Sequence, residues 1–172
     1  MTIQNILVPV DYSDCSRAAL HFAAELAQSW GATLDIVHAW DKPSYVSNVR
    51  LTTPDVGSGT SLLRLIQENA QHDLDEFVKS AEVPGDLNAV ARLVSGEPAS
   101  SLLAELQRGV HHLVVIGTHG HTGLVHMLLG SITEKVVRHS PVPVVTVRAE
   151  TERVQIRSSA SAGCNTLRPR NA

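Results

Sequence analysis

The sequence predicts an α/β protein: a single domain built on a doubly wound, five-stranded parallel sheet with helices on both faces. Short runs of β-branched and other apolar residues alternate along the chain with amphipathic helical stretches, which is the pattern of βαβ units. Right-handed crossovers between parallel strands then place helices on both faces of the sheet. The length of 172 residues suits one domain with a substantial buried core.

The first strand and the first helix have clear signals. Residues 5–11, "NILVPVD", form a short apolar run that ends in polar turn residues, as in a strand buried on both faces. Ser13 can cap a helix, and Asp14 suits its first turn. From Ala19 to Trp30 apolar residues then recur at three- and four-residue spacing, and Gly31 ends this amphipathic helix.

The middle of the chain continues the alternation after a break. Residues 33–40, "TLDIVHAW", are predicted as the second strand. Residues 41–60 are rich in Ser, Thr, Pro and Gly without a sustained period, which predicts a long loop. A second helical stripe runs from Leu62 to Val78, and the third strand is expected within residues 87–96.

The second half of the domain predicts two more units. Pro98 and Gly109 stand at the start of a short helix and just past its end, the asymmetry expected of helix termini. Residues 111–117, "HHLVVIG", are the fourth strand, followed by a glycine-rich loop and a helix. Residues 142–148, "VPVVTVR", are the fifth strand. Their Val/Thr alternation suits the edge of the sheet, which is open to pairing with another chain.

The end of the chain differs in composition. Residues 149–172 are mostly small, polar and basic and have no apolar face, so we expect a disordered tail after a domain spanning residues 1–148.

Composition excludes several functional classes. The net charge of −3 and the aromatic content of 3% argue against a nucleic-acid partner. Cys15 and Cys164 are far apart and form no CxxC pair, which fits a reducing compartment. The start of the chain lacks the pattern of a signal peptide, and no apolar run approaches the roughly 20 residues of a membrane span. We therefore expect a cytoplasmic protein without membrane insertion.

The glycine-rich stretch after the fourth strand is the candidate site, because ligands of doubly wound sheets bind at the carboxyl ends of the strands. Gly117, Gly120 and Gly130 let the backbone turn or approach a ligand closely. A helix that begins near Ser131 favours an anion at its N-terminus, and the hydroxyls of Ser131 and Thr133 add donors. The stretch contains neither GK[ST] nor GxGxxG, so a phosphate cradle and a loop merely shaped by glycines both remain open.

The stretch "GTHGHTGLVHMLLGS" matches the G-x2-G-x9-G-[ST] signature of the universal stress protein family, which "ILVPVD" and "SPVPVVTV" also resemble. The resemblance covers residues 1 to about 148. It implies a Rossmann-like sheet of order 3-2-1-4-5 and a homodimer formed through the last strand, Val142 to Val147. It also implies ATP binding, because family members that keep all the signature glycines look like the members that bind ATP.

The resemblance also implies which residues bind the nucleotide. The adenosine would be contacted by Pro9, Val10, Asp11, Ala39, Ile116 and Gly117, and the phosphates by Gly120, Gly130, Ser131, Ile132 and Thr133. Asp11 would accept hydrogen bonds from the ribose hydroxyls, with a turn or helix-cap acceptor as its alternative role. Ala39 would contact the adenine ring, or be an ordinary core residue. Mg²⁺ would share the phosphate charge and be held mostly by phosphate oxygens and water.

The histidines suggest zinc at first sight, but their spacing does not support a metal site. Zinc sites need ligands on supported positions, usually with a cysteine or carboxylate. His119, which lies between two signature glycines, is predicted to contact phosphate. His121 and His126 are predicted as exposed loop residues, and His38 as a hydrogen-bonded interior or rim residue.

The same stretch favours holding ATP over cleaving it, because no basic residue precedes Lys135 and Arg138 in the helix that follows. The first hypothesis is therefore a nucleotide-dependent regulatory or stress-response module that acts on an unidentified partner protein. The alternative is a slow ATPase or autophosphorylating enzyme that uses Ser131 or Thr133. A third hypothesis, an interaction protein that has lost the nucleotide, conflicts with the intact set of glycines.

Overall fold

Strands and helices alternate along the chain. The structure, a computed structural model, describes residues 2–41, 50–51, 60–120 and 129–149. The elements in chain order are β1 (Asn5–Pro9), α1 (Asp14–Trp30), β2 (Thr33–Trp40), β3 (Arg50–Leu51), β4 (Thr60–Ser61), α2 (Leu62–Ser80), β5 (Ala89–Ser95), α3 (Pro98–Gln107), β6 (Leu113–Gly117), α4 (Ser131–His139) and β7 (Val144–Val147).

The main sheet has five strands in the order β5-β2-β1-β6-β7, and every neighbouring pair is parallel. When only these five strands are numbered along the chain, their order is 3-2-1-4-5. The predicted fold class and topology are therefore confirmed. The strand order reverses between β1 and β6. Their carboxyl ends therefore diverge into connections on opposite faces, which leaves a crevice at this point of the sheet.

Two apolar layers cover the sheet, one on each face. Ile6, Leu7 and Val8 of β1 are all fully buried. Ile6 and Val8 pack in the cluster that contains residues of α1 and α2, whereas Leu7 packs with residues of α3 and α4. Alternate residues of a strand point to opposite faces, so a strand covered on both sides must be apolar throughout.

Helix α1 has the termini that the sequence predicts. The Ser13 hydroxyl accepts a hydrogen bond from the Ser16 amide at 3.2 Å and caps the first turn. Gly31 ends the helix in the left-handed region, with φ of 65°. These signals are local, which is why the sequence alone located both ends of the helix.

The edge strand β5 is anchored by a group of charged side chains, which we call the Arg92 network: Asp35, Arg92, Glu105 and His111. The Arg92 guanidinium donates to Asp35 of β2 at 2.9 and 2.7 Å and to Glu105 of α3 at 2.7 Å. The ring of His111, whose side chain is 2% exposed, lies with Nε2 2.8 Å from Asp35 Oδ2. The network therefore joins the edge strand, its neighbour and a helix.

Two predictions about the connections need comment. The loop expected over residues 41–60 contains a strand, because Arg50–Leu51 pairs antiparallel with Thr60–Ser61. A ladder of two residues is too short to produce a hydrophobic period, so the prediction of an unstructured loop was wrong at this point. Residues 42–49 and 52–59 lie outside the described residues, as does the predicted tail from residue 150 onward.

The last strand, β7, is hydrogen-bonded only to β6 within the described part of the chain, so it forms an edge of the sheet, as predicted. None of the helices described there combines the length and the apolar composition that crossing a membrane requires.

Candidate functional site

A cavity of about 440 Å³ opens at the carboxyl edge of the sheet, where the strand order reverses. The ends of β1, β2 and β6 and the N-termini of α3 and α4 form its walls. Its volume is that of a small-molecule site. All residues predicted for the site line this cavity: Pro9, Val10, Asp11, Ala39, Ile116, Gly117, His119, Gly120, Gly130, Ser131, Ile132 and Thr133. Their roles toward a ligand remain predictions.

The Asp11 carboxylate divides its oxygens between the turn and the cavity. Its Oδ1 accepts hydrogen bonds from the Ser13 amide at 3.2 Å and the Ser13 hydroxyl at 2.5 Å. Its Oδ2 lies so close to Gly120 that a Cβ atom at this glycine would overlap it. Asp11 therefore acts as a turn acceptor, the alternative weighed from the sequence, and still has one oxygen at the glycine loop.

Gly117 brings the end of β6 against the start of α1. A Cβ atom at this position would lie 2.8 Å from the carbonyl carbon of Cys15, which is closer than van der Waals contact allows. The Gly117 carbonyl accepts a hydrogen bond from the Thr133 hydroxyl at 2.7 Å. The sequence predicts Thr133 as a hydroxyl donor to phosphate, but this hydroxyl is buried and engaged with Gly117. The backbone amide is the group of Thr133 that can serve a ligand.

The N-terminus of α4 faces the cavity without a side-chain cap. Gly130 is the N-cap residue and offers no side-chain acceptor, while its own amide donates to the Thr118 carbonyl at 2.7 Å. The amides of the first helical turn, residues 131–133, have no acceptor within the helix. Together with the helix dipole, they favour an anion at this end of the cavity.

Basic side chains near α4 are engaged elsewhere. Arg138 pairs with Glu134 at 2.7 Å, and the Lys135 ammonium lies 3.7 Å from the carboxylate of Glu97, the N-cap residue of α3. Among the described residues, neither lysine nor arginine lines the cavity. Positive potential at this end therefore comes from backbone amides.

Of the loop histidines, His119 lines the cavity, and its Nδ1 lies 3.1 Å from the Thr118 hydroxyl. Its carbonyl oxygen lies 3.4 Å from the Ser13 hydroxyl oxygen, which places the glycine loop beside the turn after β1. His121 and His126 lie outside the described residues. Within the residues that the structure describes, no group of three or more His, Cys, Asp or Glu residues could hold a metal ion.

Several cavity residues were not predicted as part of the site: Tyr12, Ser16, Val37, His38, Pro98 and Leu102. The rule that ligands bind at strand ends already directs attention to Tyr12 and His38, which lie at the ends of β1 and β2. His38 is hydrogen-bonded, as predicted, with Nδ1 2.8 Å from the Val10 carbonyl. Pro98 and Leu102 come from α3, and only the three-dimensional packing brings them to the cavity.

Tyr12 is the only phenolic residue that lines the cavity within the described part of the chain. It stacks on the His38 ring with centroids 4.4 Å apart and an angle of 25°, and it meets Phe77 edge-on at 5.4 Å. Burial, with a smaller contribution from the negative charge of Asp73, raises the pKa of Tyr12 to about 12. Tyr12 is therefore a neutral phenol at physiological pH.

The model of the universal stress protein family matches residues 2–148, the whole chain apart from its end. The chain belongs to the universal stress protein family. A curated member from Methanocaldococcus jannaschii is 30% identical over 145 residues, 84% of this chain and 82% of the relative. The member YxiE of Bacillus subtilis is also 30% identical, over 83% of this chain and 97% of its own length.

Solved structures of the family share the fold. The universal stress protein UspA from Lactobacillus plantarum is 26% identical, with a TM-score of 0.62 over 86% of this chain and 99% of that one. A universal stress protein in complex with cAMP is 23% identical (TM-score 0.62, covering 87% and 99%). The family protein of Archaeoglobus fulgidus in complex with dAMP is 22% identical (TM-score 0.58, covering 86% and 99%). At these last two identities the likeness establishes the fold alone.

Proposed function

We propose that this universal stress protein binds ATP, together with Mg²⁺, in the cavity at the carboxyl edge of the sheet and acts as a nucleotide-dependent regulatory module of the stress response. One observation carries the proposal: a single cavity is lined both by a carboxylate, that of Asp11, and by an uncapped helix N-terminus, that of α4. A nucleotide matches both groups, because its ribose donates hydrogen bonds and its phosphates accept them. Family structures with cAMP and dAMP support the adenosine half.

In this proposal the nucleotide lies across the strand ends. Ala39 and Ile116 pack against the adenosine, and Asp11 Oδ2 accepts from a ribose hydroxyl. The phosphates lie against Gly120 and the first-turn amides of α4, where the Ser131 hydroxyl adds a donor. Mg²⁺ would be held mostly by phosphate oxygens and water, because this ion keeps several of its water ligands when it binds a nucleotide.

Binding rather than rapid hydrolysis is the activity proposed, because rapid phosphoryl transfer needs, besides Mg²⁺, an arginine or lysine near the γ-phosphate to stabilise the charge that develops there. The described residues that line the cavity contain no lysine or arginine. The second candidate, slow hydrolysis or autophosphorylation, falls to Ser131, which is exposed and lines the cavity. Thr133 is buried with its hydroxyl engaged.

The proposal extends to assembly and location. We propose a homodimer formed through β7 and a partner protein that distinguishes the nucleotide-bound from the free state. We also place the protein in the cytoplasm, where a free thiol such as that of Cys15 remains reduced.

Calorimetric titration of the purified protein with ATP–Mg²⁺, ADP, AMP and adenosine tests the function. We expect ATP to bind at least about tenfold more tightly than adenosine, because the charged phosphates gain hydrogen bonds from the α4 amides. Equal affinities would show that the phosphate half of the site is misplaced. A single-turnover hydrolysis assay with the wild type and Ser131→Ala distinguishes the second candidate, which requires a rate that this substitution abolishes.

A further inference from the structure

Tyr12, the residue that follows Asp11, adopts a backbone conformation that large residues avoid. Its φ is 67°, in the left-handed region. Glycine occupies this region freely, whereas a side chain with a Cβ atom is strained there. Non-glycine residues in such conformations are maintained by surrounding contacts and cluster at functional sites. The contacts that maintain Tyr12 are therefore informative.

The Tyr12 ring is clamped between two elements. One face stacks on His38 of β2 at 4.4 Å, and Phe77 of α2 approaches edge-on at 5.4 Å. His38 is itself fixed, because its Nδ1 lies 2.8 Å from the Val10 carbonyl, which can only accept a hydrogen bond. The Val10 amide in turn donates to the Val37 carbonyl at 2.9 Å. The ring that supports Tyr12 is thus tied to the backbone just before Asp11.

The conformation of Tyr12 closes a turn around the Asp11 carboxylate. Because the chain reverses at Tyr12, both the amide and the hydroxyl of Ser13 reach back to Asp11 Oδ1, at 3.2 and 2.5 Å. With Oδ1 held in this way, the carboxylate is fixed in rotation and Oδ2 lies at Gly120. The orientation of Oδ2 in the cavity therefore depends on the backbone of Tyr12.

We propose that Tyr12 is a positioning residue for ligand recognition: its stack on His38 holds residues 11–13 in the turn that presents Asp11 Oδ2 to hydroxyl donors of the ligand. This inference rests on the proposed nucleotide function and identifies the ribose as the part of the ligand that Tyr12 influences. Tyr12 acts through Asp11, so removing its ring weakens recognition of the ribose hydroxyls and leaves recognition of the phosphates unchanged.

The test compares the affinities of ATP and 2′,3′-dideoxy-ATP by calorimetry. For Tyr12→Leu we expect ATP binding to weaken about tenfold, the loss of one hydrogen bond to a charged group. Binding of the dideoxy nucleotide should change less than about twofold, because that ligand has no hydroxyl for Asp11. Tyr12→Phe keeps the stack and should bind both nucleotides as the wild type does. In an Asp11→Ala background, Tyr12→Leu should have no further effect on ATP.

Two further variants separate the ring from other effects. Phe22→Leu removes an aromatic ring from the exposed side of α1, outside the cavity, and should leave both affinities unchanged. Tyr12→Gly relieves the backbone strain but removes the stack, so we expect it to behave like Tyr12→Leu. Retained binding of the dideoxy nucleotide shows that each variant is folded.

The outcomes separate the inference from the proposed function. Equal losses for ATP and dideoxy-ATP in Tyr12→Leu, or no loss for either, would refute the positioning role alone. A wild-type protein that binds neither nucleotide would refute both the proposed function and this inference.

Discussion

The signature glycines of the cavity differ in what occupies the place of a side chain. At Gly117 that place is taken by the backbone of Cys15, and at Gly120 by the carboxylate of Asp11. A Cβ atom at Gly130 would lie 3.4 Å from its nearest neighbour, the Thr118 carbonyl oxygen, which is an ordinary contact. The three positions therefore tolerate a methyl group to different degrees, and for different reasons.

Alanine substitutions should reveal this difference. Gly117→Ala forces β6 away from α1, and we expect a loss of about 1–3 kcal/mol in the free energy of unfolding. Gly120→Ala displaces the Asp11 side chain rather than backbone. It should therefore lower the ATP affinity while changing the free energy of unfolding less than Gly117→Ala does. Of the three variants, Gly130→Ala should have the smallest effect on both quantities: the free energy of unfolding, measured in urea, and the ATP affinity, measured by calorimetry.

Gly85 supplies the matched control, because a Cβ atom there meets nothing within 4 Å. Gly85→Ala should leave both stability and affinity unchanged. If Gly130→Ala proved more damaging than Gly117→Ala, this account of the close contacts would be wrong.

The sequence located these glycines but could not rank them. The spacing of the glycines is a local pattern in the sequence. The residues that limit the space at Gly117 and Gly120, Cys15 and Asp11, follow β1, on the other side of the point where the strand order reverses. The role of Tyr12 was hidden for the same reason. Its φ depends on His38 and Phe77, which are distant in sequence, and a tyrosine after an aspartate carries no signal for left-handed backbone.

At the scale of elements, the Arg92 network determines how β5 and α3 are attached. Burial by itself would raise the pKa of Asp35, but hydrogen bonds from His111 and Arg92 outweigh it and hold that pKa below its ordinary value. Burial opposes the same effect at Glu105, whose pKa is also lowered, by the hydrogen bond and charge of Arg92 and then of Arg108. Both carboxylates are therefore stabilised in their charged form by folding.

Lowered carboxylate pKa values give the network a pH dependence with a definite sign. Its contribution to stability is present above the pKa values of the unfolded chain and is lost as pH falls through the lower values of the folded protein. Arg92→Met should cost about 1–2 kcal/mol of unfolding free energy at neutral pH. The difference from the wild type should shrink below about pH 4. Urea unfolding across this pH range measures both effects.

Arg64 offers the control, since its pair with Glu68 within α2 is exposed, at 75% and 53%. Arg64→Met should change stability by no more than about 0.5 kcal/mol at any pH. If the difference in unfolding free energy between Arg92→Met and the wild type stayed constant down to pH 2, the contacts of Arg92 with the Asp35 and Glu105 carboxylates would not be the source of the stability.

At the scale of the molecule, the fold followed from the sequence because the strands of the main sheet are short apolar runs and the helices between them have amphipathic stripes. The alternation of elements then leaves few topologies. What the sequence could not supply is the β3–β4 pair, whose two-residue strands have no period. It also could not show which residues of α3 reach the cavity, because that depends on how the helix packs on the sheet.

The proposed dimer depends on which backbone groups of β7 are open. The Pro143 carbonyl accepts from Val114 of β6 at 3.0 Å, and the Val147 carbonyl accepts from Thr118, just after β6, at 2.8 Å. The alternation of a parallel ladder therefore turns the backbone of Thr146 to the free edge. Thr146→Pro removes an outward donor where an edge strand tolerates proline. We expect this variant to be monomeric in sedimentation equilibrium, whereas Thr146→Ala should dimerise as the wild type does.

A Thr146→Pro protein that remained dimeric would place the interface elsewhere. Circular dichroism should show the same secondary structure in both variants, because the ladder to β6 is not touched by either substitution.

The close approach of Gly120 to Asp11 has a consequence for how this sequence can change over time. A side chain at position 120 would displace the Asp11 carboxylate from its present place, so position 120 cannot gain a side chain while Asp11 keeps this orientation. A descendant that acquired alanine at position 120 would be expected to carry a shorter residue at position 11. Such a descendant would lose the proposed ribose acceptor and the glycine signature together.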